Sequence, residues 1–182
     1  AFLPEKDLSE IRLKMGMVFQ GAALFDSLNI YENVGFALKR IKKMPQEEAY
    51  QKVDELLEWV GLKGKGNLYP SEMSGGMRKR AGIARAIAIE PELVLFDEPT
   101  TGLDPIMTDV VDNLINKLKK EKKMTSVVVT HDMKSAYKIA DYIYMMEEGT
   151  IMGQGTSEEI QSSKDPKIRQ FIEGKAEGPI KV

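Results

Sequence analysis

Short apolar runs mark four predicted strands along the chain. They cover residues 15–19, 93–96, 126–130 and 142–146. The last three are continuously apolar, which is typical of strands that are buried on both faces of a sheet. Helical signals separate these three runs, and such alternation of strand and helix favours a parallel sheet with crossover helices. The predicted fold class is therefore α/β.

The segment between the first two strands, residues 21–89, has the periodicity of helices. An apolar stripe over residues 49–60 ends at Gly61, a typical helix stop. Asn29 and Ser74 have the side chains that cap helix N-termini. Three helices are thus predicted here, over residues 30–40, 45–60 and 75–89. This part of the chain is interpreted as a mostly helical insert.

The second half contains two further helices and a hairpin. Asp104 and Asp132 are predicted caps for helices over residues 105–119 and 133–140. Residues 144–154 have the pattern of a β-hairpin at a sheet edge, with a glycine at its turn. Beyond the hairpin, two short helices are predicted from a capping box at residues 156–159 and from Asp165–Pro166.

The composition excludes several kinds of site. With no cysteine and one histidine, the chain offers neither disulfides nor a histidine-rich metal site. Its net charge of −2 gives no electrostatic reason to expect a nucleic-acid partner. The sequence has no apolar run near membrane-spanning length, so a role at a membrane is expected to depend on a partner protein.

Polar residues follow three predicted strands at the point where each strand ends. They are Gln20, the pair Asp97–Glu98, and His131. Ligands bind beyond the carboxyl ends of the strands in an open parallel sheet, so we expect these residues to share one site. Each has a structural alternative when taken alone, since the acidic pair could cap a helix and the histidine could be an ordinary surface residue. Their occurrence together favours a single site.

Four fragments contain most of the residues suited to chemistry. They are FQ at 19–20, SEMSGGMRKR at 71–80, LVLFDEPTTGLDP at 93–105 and VVVTHD at 127–132. In order and spacing they resemble the Q-loop, the signature, the Walker B strand with its D-loop, and the switch histidine of ATP-binding-cassette (ABC) ATPases. Ser-Gly-Gly by itself is most often a turn, so the resemblance depends on the joint pattern.

This resemblance implies a P-loop NTPase (RecA-like) core with an ABC-type helical subdomain. The core is expected over residues 1–20 and 90–182, and the helical signature subdomain over residues 21–89. No P-loop of the form G-x-x-x-x-G-K-[ST] occurs in the 182 residues, and the nearest cluster, at 61–67, has neither its spacing nor a preceding strand. We therefore expect an incomplete core that lacks its N-terminal strands and Walker A, and that is inactive by itself.

The resemblance also implies roles for the polar residues in the hydrolysis of Mg-ATP. Asp97 and Gln20 are the expected ligands of Mg²⁺, an ion that prefers hard oxygen donors. Glu98 is expected to polarise the attacking water, and His131 to bridge the γ-phosphate and that carboxylate. Gln20 lies before the helical insert and is also the expected sensor of the nucleotide state.

The signature residues Ser74, Gly75 and Gly76 form a second candidate phosphate site. A hydroxyl and backbone N–H groups at a helix N-terminus bind anions through unsatisfied donors and the helix dipole. In ABC ATPases the signature closes on the nucleotide of the other subunit, which implies a second copy of this chain as a partner. Asp104 is expected at the same dimer seam.

Four apolar residues soon after Gln20 are candidates for a surface that docks a permease. They are Ala22, Leu24, Phe25 and Leu28. Their place at the start of the helical insert, beside the expected sensor, favours this interpretation. The alternative is that they pack in the core of the insert.

Three segments resemble, more narrowly, the MlaF-type ATPases of MCE lipid transport systems. They are GAALFDSLNIYENV at 21–34, SGGM at 74–77 with Arg80–Ala81 after it, and DPKIRQFIEGKAEGP at 165–179. This likeness implies transport of phospholipid or other hydrophobic molecules, powered from the cytoplasmic face of the inner membrane. The implied partners are a membrane permease and an MCE-type lipid-binding protein.

Three other interpretations stay open. The segment after Gln20 also occurs in ATPases that import polar amino acids or other small solutes. Non-transport ABC ATPases form another class, although the short insert between Gln20 and Ser74 favours a transporter. The last alternative is a naturally shortened dimerising module without catalytic activity.

Overall fold

The computed structural model describes residues 4–180. They form two compact units, which divide between Thr130 and His131. The first unit contains a parallel sheet and five α-helices, and the second contains an antiparallel hairpin and three short helices. No helix among the described residues is both long and apolar enough to cross a membrane.

The first unit contains the predicted elements and one helix that was not predicted. Its strands are β1 (Met15–Val18), β2 (Leu93–Asp97) and β3 (Thr125–Val129). Its helices are α1 (Glu5–Leu13), α2 (Ile30–Arg40), α3 (Gln46–Trp59), α4 (Gly75–Ile87) and α5 (Pro105–Lys117), with a 3-10 turn at Pro70–Glu72 and a π-helical turn at Leu118–Lys122. Helix α1 buries none of its residues, so it does not require the apolar stripe by which buried helices are recognised in a sequence.

The three strands of the first unit lie side by side in the order β1, β2, β3, and both pairs are parallel. Val18 is opposite Phe96, and Asp97 is opposite Val129. The carboxyl ends of all three strands therefore lie along one edge. The predicted α/β class with a parallel sheet is confirmed.

Helix α4 packs closely against β1 of this sheet. A Cβ atom at Gly16 would lie only 2.5 Å from the carbonyl oxygen of Ala86. Val18, Val94 and Phe96 are almost completely buried and form the strands' contribution to the core. Burial of one sheet face thus accounts for the alternate apolar residues of β1 and β2.

The alternate side chains of β1 and β3 are exposed. Met17 in β1 has 41% of its surface exposed, and Val127 and Val129 in β3 have 51% and 58%. Among the described residues, β3 contains no buried side chain. The prediction that the continuously apolar strands are buried on both faces is therefore wrong for β3. Side chains alternate across a strand, so the described residues cover one face and leave the other exposed.

Residues 21–89 are mostly helical, as predicted, and α2 packs against α3 and α4. Asn29 caps α2 in a capping box, in which its Oδ1 accepts from the Glu32 N–H at 2.9 Å and its own N–H donates to the Glu32 carboxylate at 3.3 Å. The cap and the buried stripe of α2 confirm the helix predicted from residue 30. The division of the chain into a core and an insert stays a prediction.

The second unit consists of α6 (Met133–Ile139), β4 (Ile143–Glu147), β5 (Thr150–Gly155), α7 (Ser157–Gln161) and α8 (Pro166–Glu173). Strands β4 and β5 pair antiparallel, which confirms the predicted hairpin, but they form a separate two-stranded sheet and not the edge of the parallel one. Tyr144 and Met146 of β4 are exposed, so the predicted burial of this strand on both faces is also wrong. A small core holds the unit together, formed by Ala136, Ile143, Met145, Ile160 and Ile168. Capping interactions at Thr156 and Asp165 begin the last two helices, as predicted.

Candidate active site

The carboxyl edge of the parallel sheet brings together three of the predicted site residues. Asp97 is the last residue of β2 and Glu98 follows it, while Gln20 lies two residues beyond the end of β1. Neighbouring strands are about 4.8 Å apart, so these residues lie along a short stretch of one edge. Gln20 is exposed and the two acids are half-buried. His131 is the first residue of the second unit, and its place at this edge stays a prediction.

Glu98 adopts an unusual backbone conformation at this edge. Its φ of 46° lies in the left-handed region, which costs a residue with a side chain about 1–3 kcal/mol and occurs most often at functional sites. Its N–H donates to the carbonyl of Val129 at 2.9 Å. The Thr101 hydroxyl donates to its Oε2 atom at 2.8 Å. The strained turn after β2 is therefore stabilised through both the backbone and the side chain.

Lys79 of helix α4 reaches the same turn. Its ammonium group donates to the carbonyl oxygen of Glu98 at 3.0 Å, and the residue is only 7% exposed. Burial lowers the pKa of Lys79, while the negative charges of Glu98 and Asp97 act in the opposite direction. A buried cation thus joins α4, the helix that begins with the Ser-Gly-Gly segment, to the turn that follows β2.

Ser74 and Gly75 are exposed at the start of α4. Ser74 is the N-cap, and its Oγ accepts from the N–H of Met77 at 3.3 Å. Gly76 is buried, and a Cβ atom there would lie 2.4 Å from the Met107 side chain of α5. Gly76 therefore allows α4 and α5 to approach, while Ser74 and Gly75 are accessible at a helix N-terminus that favours anions.

One cavity connects Gln20 with the start of α4. Its volume is about 170 Å³. The lining residues are Gln20, Gly21, Ala22, Gly75, Arg78, Lys79, Thr101, Gly102 and Leu103. Residues from three of the four sequence fragments therefore line one space within the first unit.

Asp104 begins helix α5 as predicted. Its Oδ1 atom accepts from the N–H groups of Ile106 and Met107 at 2.9 and 3.0 Å. The residue is exposed, so helix capping leaves part of its carboxylate accessible. Its expected place at a dimer seam stays a prediction.

The loop after Gln20 is held against α4. Ala22 and Ala23 have φ values of 64° and 47°, and both backbone carbonyls accept hydrogen bonds from the Arg85 guanidinium, at 2.9 and 2.6 Å. Burial lowers the pKa of Arg85. The side chain of Ala22 also lies against Gly82, where a Cβ atom would be 3.2 Å from the Cβ of Ala22. The loop after Gln20 and α4 are therefore in direct contact through both backbone and side-chain atoms.

The docking surface predicted after Gln20 is corrected at one residue. Ala22 is 1% exposed, because it packs against α4, and it cannot be part of a surface. Leu24 and Leu28 are half-buried. Phe25 is 47% exposed, and its ring centroid lies 5.3 Å from that of Phe36, which is also exposed.

Residues 2–101 match the ABC transporter family, which is more than half of the chain. The chain belongs to the ABC transporter family. The segments that resemble the Q-loop, the signature and the Walker B strand follow β1, begin α4 and form β2. ABC ATPases bind ATP and work as dimers with membrane permeases.

Relatives of known role agree with this assignment. The intermembrane phospholipid transport system ATP-binding protein MlaF of Haemophilus influenzae is 42% identical over 98% of this chain, which covers 68% of that protein. MlaF of Escherichia coli K12 is 42% identical over 95% of the chain, which covers 64% of it. The chain thus spans about two thirds of the length of these relatives.

A solved structure agrees with the fold. The ATP-binding cassette MJ0796, in a dimeric post-hydrolysis state bound to ADP and Pi, is 33% identical with a TM-score of 0.75; the match covers 85% of this chain and 68% of that one. Together with the family match, this likeness shows that the chain has the sequence and fold of an ABC-type ATPase.

Basic residues on a helix usually form a solvated face, but three of those on α4 do not. Lys79 is buried, and Arg80 and Arg85 are half-buried, with their side chains bonded to backbone carbonyls. Gly82 and Ala86 follow Lys79 at helical spacing (i+3 and i+7), so all three lie on one face of α4, and all three are buried. Helical spacing could therefore have shown that Lys79 faces the protein interior.

The donor atoms at the sheet edge suit Mg²⁺. Asp97 offers a carboxylate and Gln20 an amide oxygen, both of which are hard donors. Among the described residues, no group of three or more histidine, cysteine or acidic side chains forms a metal cage. Mg²⁺ is usually held by one or two protein ligands, with water and substrate phosphates completing its shell, so the residues present fit this ion.

Proposed function

We propose that this ABC ATPase hydrolyses ATP to move phospholipid or other hydrophobic molecules through a membrane permease. The observation that carries the proposal is the 42% identity, over 98% of the chain, to an ATP-binding protein of intermembrane phospholipid transport. The sheet edge with Gln20, Asp97 and Glu98 supports the catalytic part of the proposal.

Hydrolysis needs a P-loop, and the 182 residues contain none. In the proposed enzyme the P-loop contacts with the triphosphate therefore come from outside these residues. A polypeptide in which residues 1–182 are continuous with a P-loop is called here the P-loop-containing form. It is the form in which activity is expected.

The proposed chemistry depends on how the chain holds water and charge. Glu98 accepts a hydrogen bond from the attacking water and orients it, while Thr101 restrains one oxygen of that carboxylate at 2.8 Å. Asp97 and Gln20 hold Mg²⁺, which supplies charge neutralisation at the phosphates when bound. His131 donates to the γ-phosphate and keeps the carboxylate of Glu98 aligned.

The proposed nucleotide site is completed across a dimer. Ser74, Gly75 and Gly76 of one copy bind the terminal phosphate held by the other copy, through the hydroxyl and the helix N-terminus. Asp104 lies at the same seam and orients the facing loop. The exposure of Ser74 and Gly75 supports this arrangement, because a signature that acts on a second copy must be accessible.

The proposed transporter contains a permease in the inner membrane and an MCE-type lipid-binding protein beyond it. The ATPase is cytoplasmic and sits peripherally on the membrane face. The exposed pair of Phe25 and Phe36 supports a permease contact, since two neighbouring exposed aromatic rings are common in interfaces.

Transfer of a labelled phospholipid tests this function. The P-loop-containing form is assembled with its permease in one set of vesicles, and movement of a fluorescent phospholipid to or from the MCE protein is followed with ATP. We expect ATP-dependent transfer that disappears with Glu98→Gln. Stimulation of ATPase activity by a polar amino acid, without lipid transfer, would instead indicate a small-solute importer.

A further inference from the structure

Lys79 is a buried cation to which the proposed chemistry assigns no role. It lies one helical turn after the start of the signature helix α4 and is 7% exposed. Its ammonium group donates to the carbonyl oxygen of Glu98 at 3.0 Å. Among the contacts described for α4, this one joins the signature helix directly to the catalytic glutamate.

The contact is made at the point where the backbone is strained. Glu98 has a positive φ of 46°, and such a conformation persists only where surrounding structure enforces it. The N–H of Glu98 donates to the carbonyl of Val129, and the carbonyl of Glu98 accepts from the ammonium group of Lys79. The two peptide groups that flank the Glu98 Cα are therefore held from opposite elements, the strand β3 and the helix α4.

We propose that Lys79 is a positioning residue, which holds the left-handed turn at Glu98 and thereby aims its carboxylate at the attacking water. This inference rests on the proposed role of Glu98 in ATP hydrolysis. Because Lys79 lies one turn from Gly75, it also links the signature, which binds phosphate across the dimer, to the glutamate of its own chain. A shift of α4 on closure of the dimer would then move Glu98.

Lys79 differs from a residue that only fills space, because its ammonium group donates to the backbone carbonyl of Glu98. An apolar side chain of similar length fills a buried position without the desolvation cost of an ammonium group. Arg80, the next residue on α4, illustrates the structural case. It donates to the carbonyls of Val60 and Gly61 in the helical insert, at 3.1 and 2.8 Å.

The test measures kcat and KM for Mg-ATP in the P-loop-containing form. The variants are Lys79→Met, Lys79→Arg, Glu98→Gln, and the double variant of Lys79→Met with Glu98→Gln. Arg80→Met is the matched control, because it removes a cation that bonds carbonyls from the same helix without touching Glu98. Thermal unfolding of each variant separates loss of folding from loss of alignment.

Lys79→Met is expected to lower kcat by about 10- to 100-fold, as for a misplaced catalytic group, with KM changed less than about threefold. Lys79→Arg restores most of kcat, since its guanidinium can donate to the same carbonyl. Arg80→Met lowers the melting temperature with little change in kcat. In the Glu98→Gln background, Lys79→Met has no further effect on kcat, because it acts through that carboxylate.

Two results would overturn the inference. One is a loss of kcat from Lys79→Met that is just as large in the Glu98→Gln background. The other is a rise in the KM of Lys79→Met with kcat intact, which would make Lys79 a nucleotide ligand. If Lys79→Met does not fold, Lys79→Leu, which also lacks a donor, takes its place, and equal kcat for Lys79→Leu and Lys79→Arg would also reject the proposal. Normal turnover in Glu98→Gln alone would instead reject the proposed function.

Discussion

Asn33 and Phe25 are joined by a two-way hydrogen-bonded pair. The N–H of Phe25 donates to Oδ1 of Asn33 at 2.7 Å, and Nδ2 of Asn33 donates back to the carbonyl of Phe25 at 3.0 Å. The same amide also donates to the carbonyls of Leu28 and Asn29. One completely buried side chain on α2 therefore determines the path of the loop that carries the exposed Phe25.

Replacement of Asn33 should destabilise the first unit. Asn33→Ala leaves buried carbonyl and N–H groups of the loop without partners, and we expect the free energy of unfolding to fall by about 1–3 kcal/mol. Urea denaturation of the 182-residue chain measures this change. Asn113→Ala is the control, because Asn113 is exposed and bonds one side chain, and it should change stability little. Equal stability of the two variants would contradict the prediction.

An aspartate at Phe25 should separate docking from folding. Because Phe25 is 47% exposed, Phe25→Asp is expected to lower the melting temperature little but to abolish co-purification with the permease. Ala22→Asp is the matched control, since Ala22 is buried in the same loop, and an unpaired buried charge should destabilise the fold by several kcal/mol. Loss of stability in Phe25→Asp with docking intact would refute the docking surface.

The 182-residue chain should not bind Mg-ATP tightly by itself. A P-loop supplies backbone N–H groups and a lysine for the triphosphate, and these residues contain no such motif. Calorimetric titration with Mg-ATP is expected to give no measurable tight binding, whereas the P-loop-containing form binds. A dissociation constant in the micromolar range for the 182-residue chain would show that the P-loop is dispensable.

The ion pair between Lys52 and Glu90 should make a small, pH-dependent contribution to stability. A hydrogen bond from Lys52 at 2.8 Å, followed by its positive charge, lowers the pKa of Glu90 below the ordinary value of 4.5. A lowered acid pKa stabilises the fold above the ordinary value, and this stabilisation is lost as the pH falls through the folded-state pKa. The Glu90 side chain is 59% exposed, so the effect should stay below about 1 kcal/mol.

Urea midpoints of the wild type and Glu90→Gln, measured between pH 7 and pH 3, check this prediction. The wild type should be the more stable protein near neutral pH, and the difference should shrink in acid. Glu55→Gln is the control, since it removes an exposed charge from α3, the same helix that carries Lys52. A difference that grows on acidification would contradict the assigned sign.

The sequence by itself determined most of the elements and placed Gln20, Asp97 and Glu98 in the candidate site. The apolar run of β2 located that strand because its burial requires apolar side chains, and Asn29, Ser74 and Asp104 marked helix starts because a cap needs a side-chain acceptor at one position. The polar residues that follow β1 and β2 could be assigned to one edge from parallel topology alone, while the place of His131 there stays a prediction. These are local or pairwise rules, and they can be applied without coordinates.

Only the tertiary structure decided which side chains are buried and what they bond. Nothing in the residue types of Lys79 and Arg85 distinguishes them from the solvated lysines and arginines of the chain. Their burial follows from how α4 packs against the loops after β1 and β2. Ala22 is apolar like Phe25, yet one is buried and the other exposed, because Gly82 leaves room for Ala22. The left-handed turn at Glu98 arises from contacts with β3 and α4, which are distant in sequence, so no local pattern could reveal it.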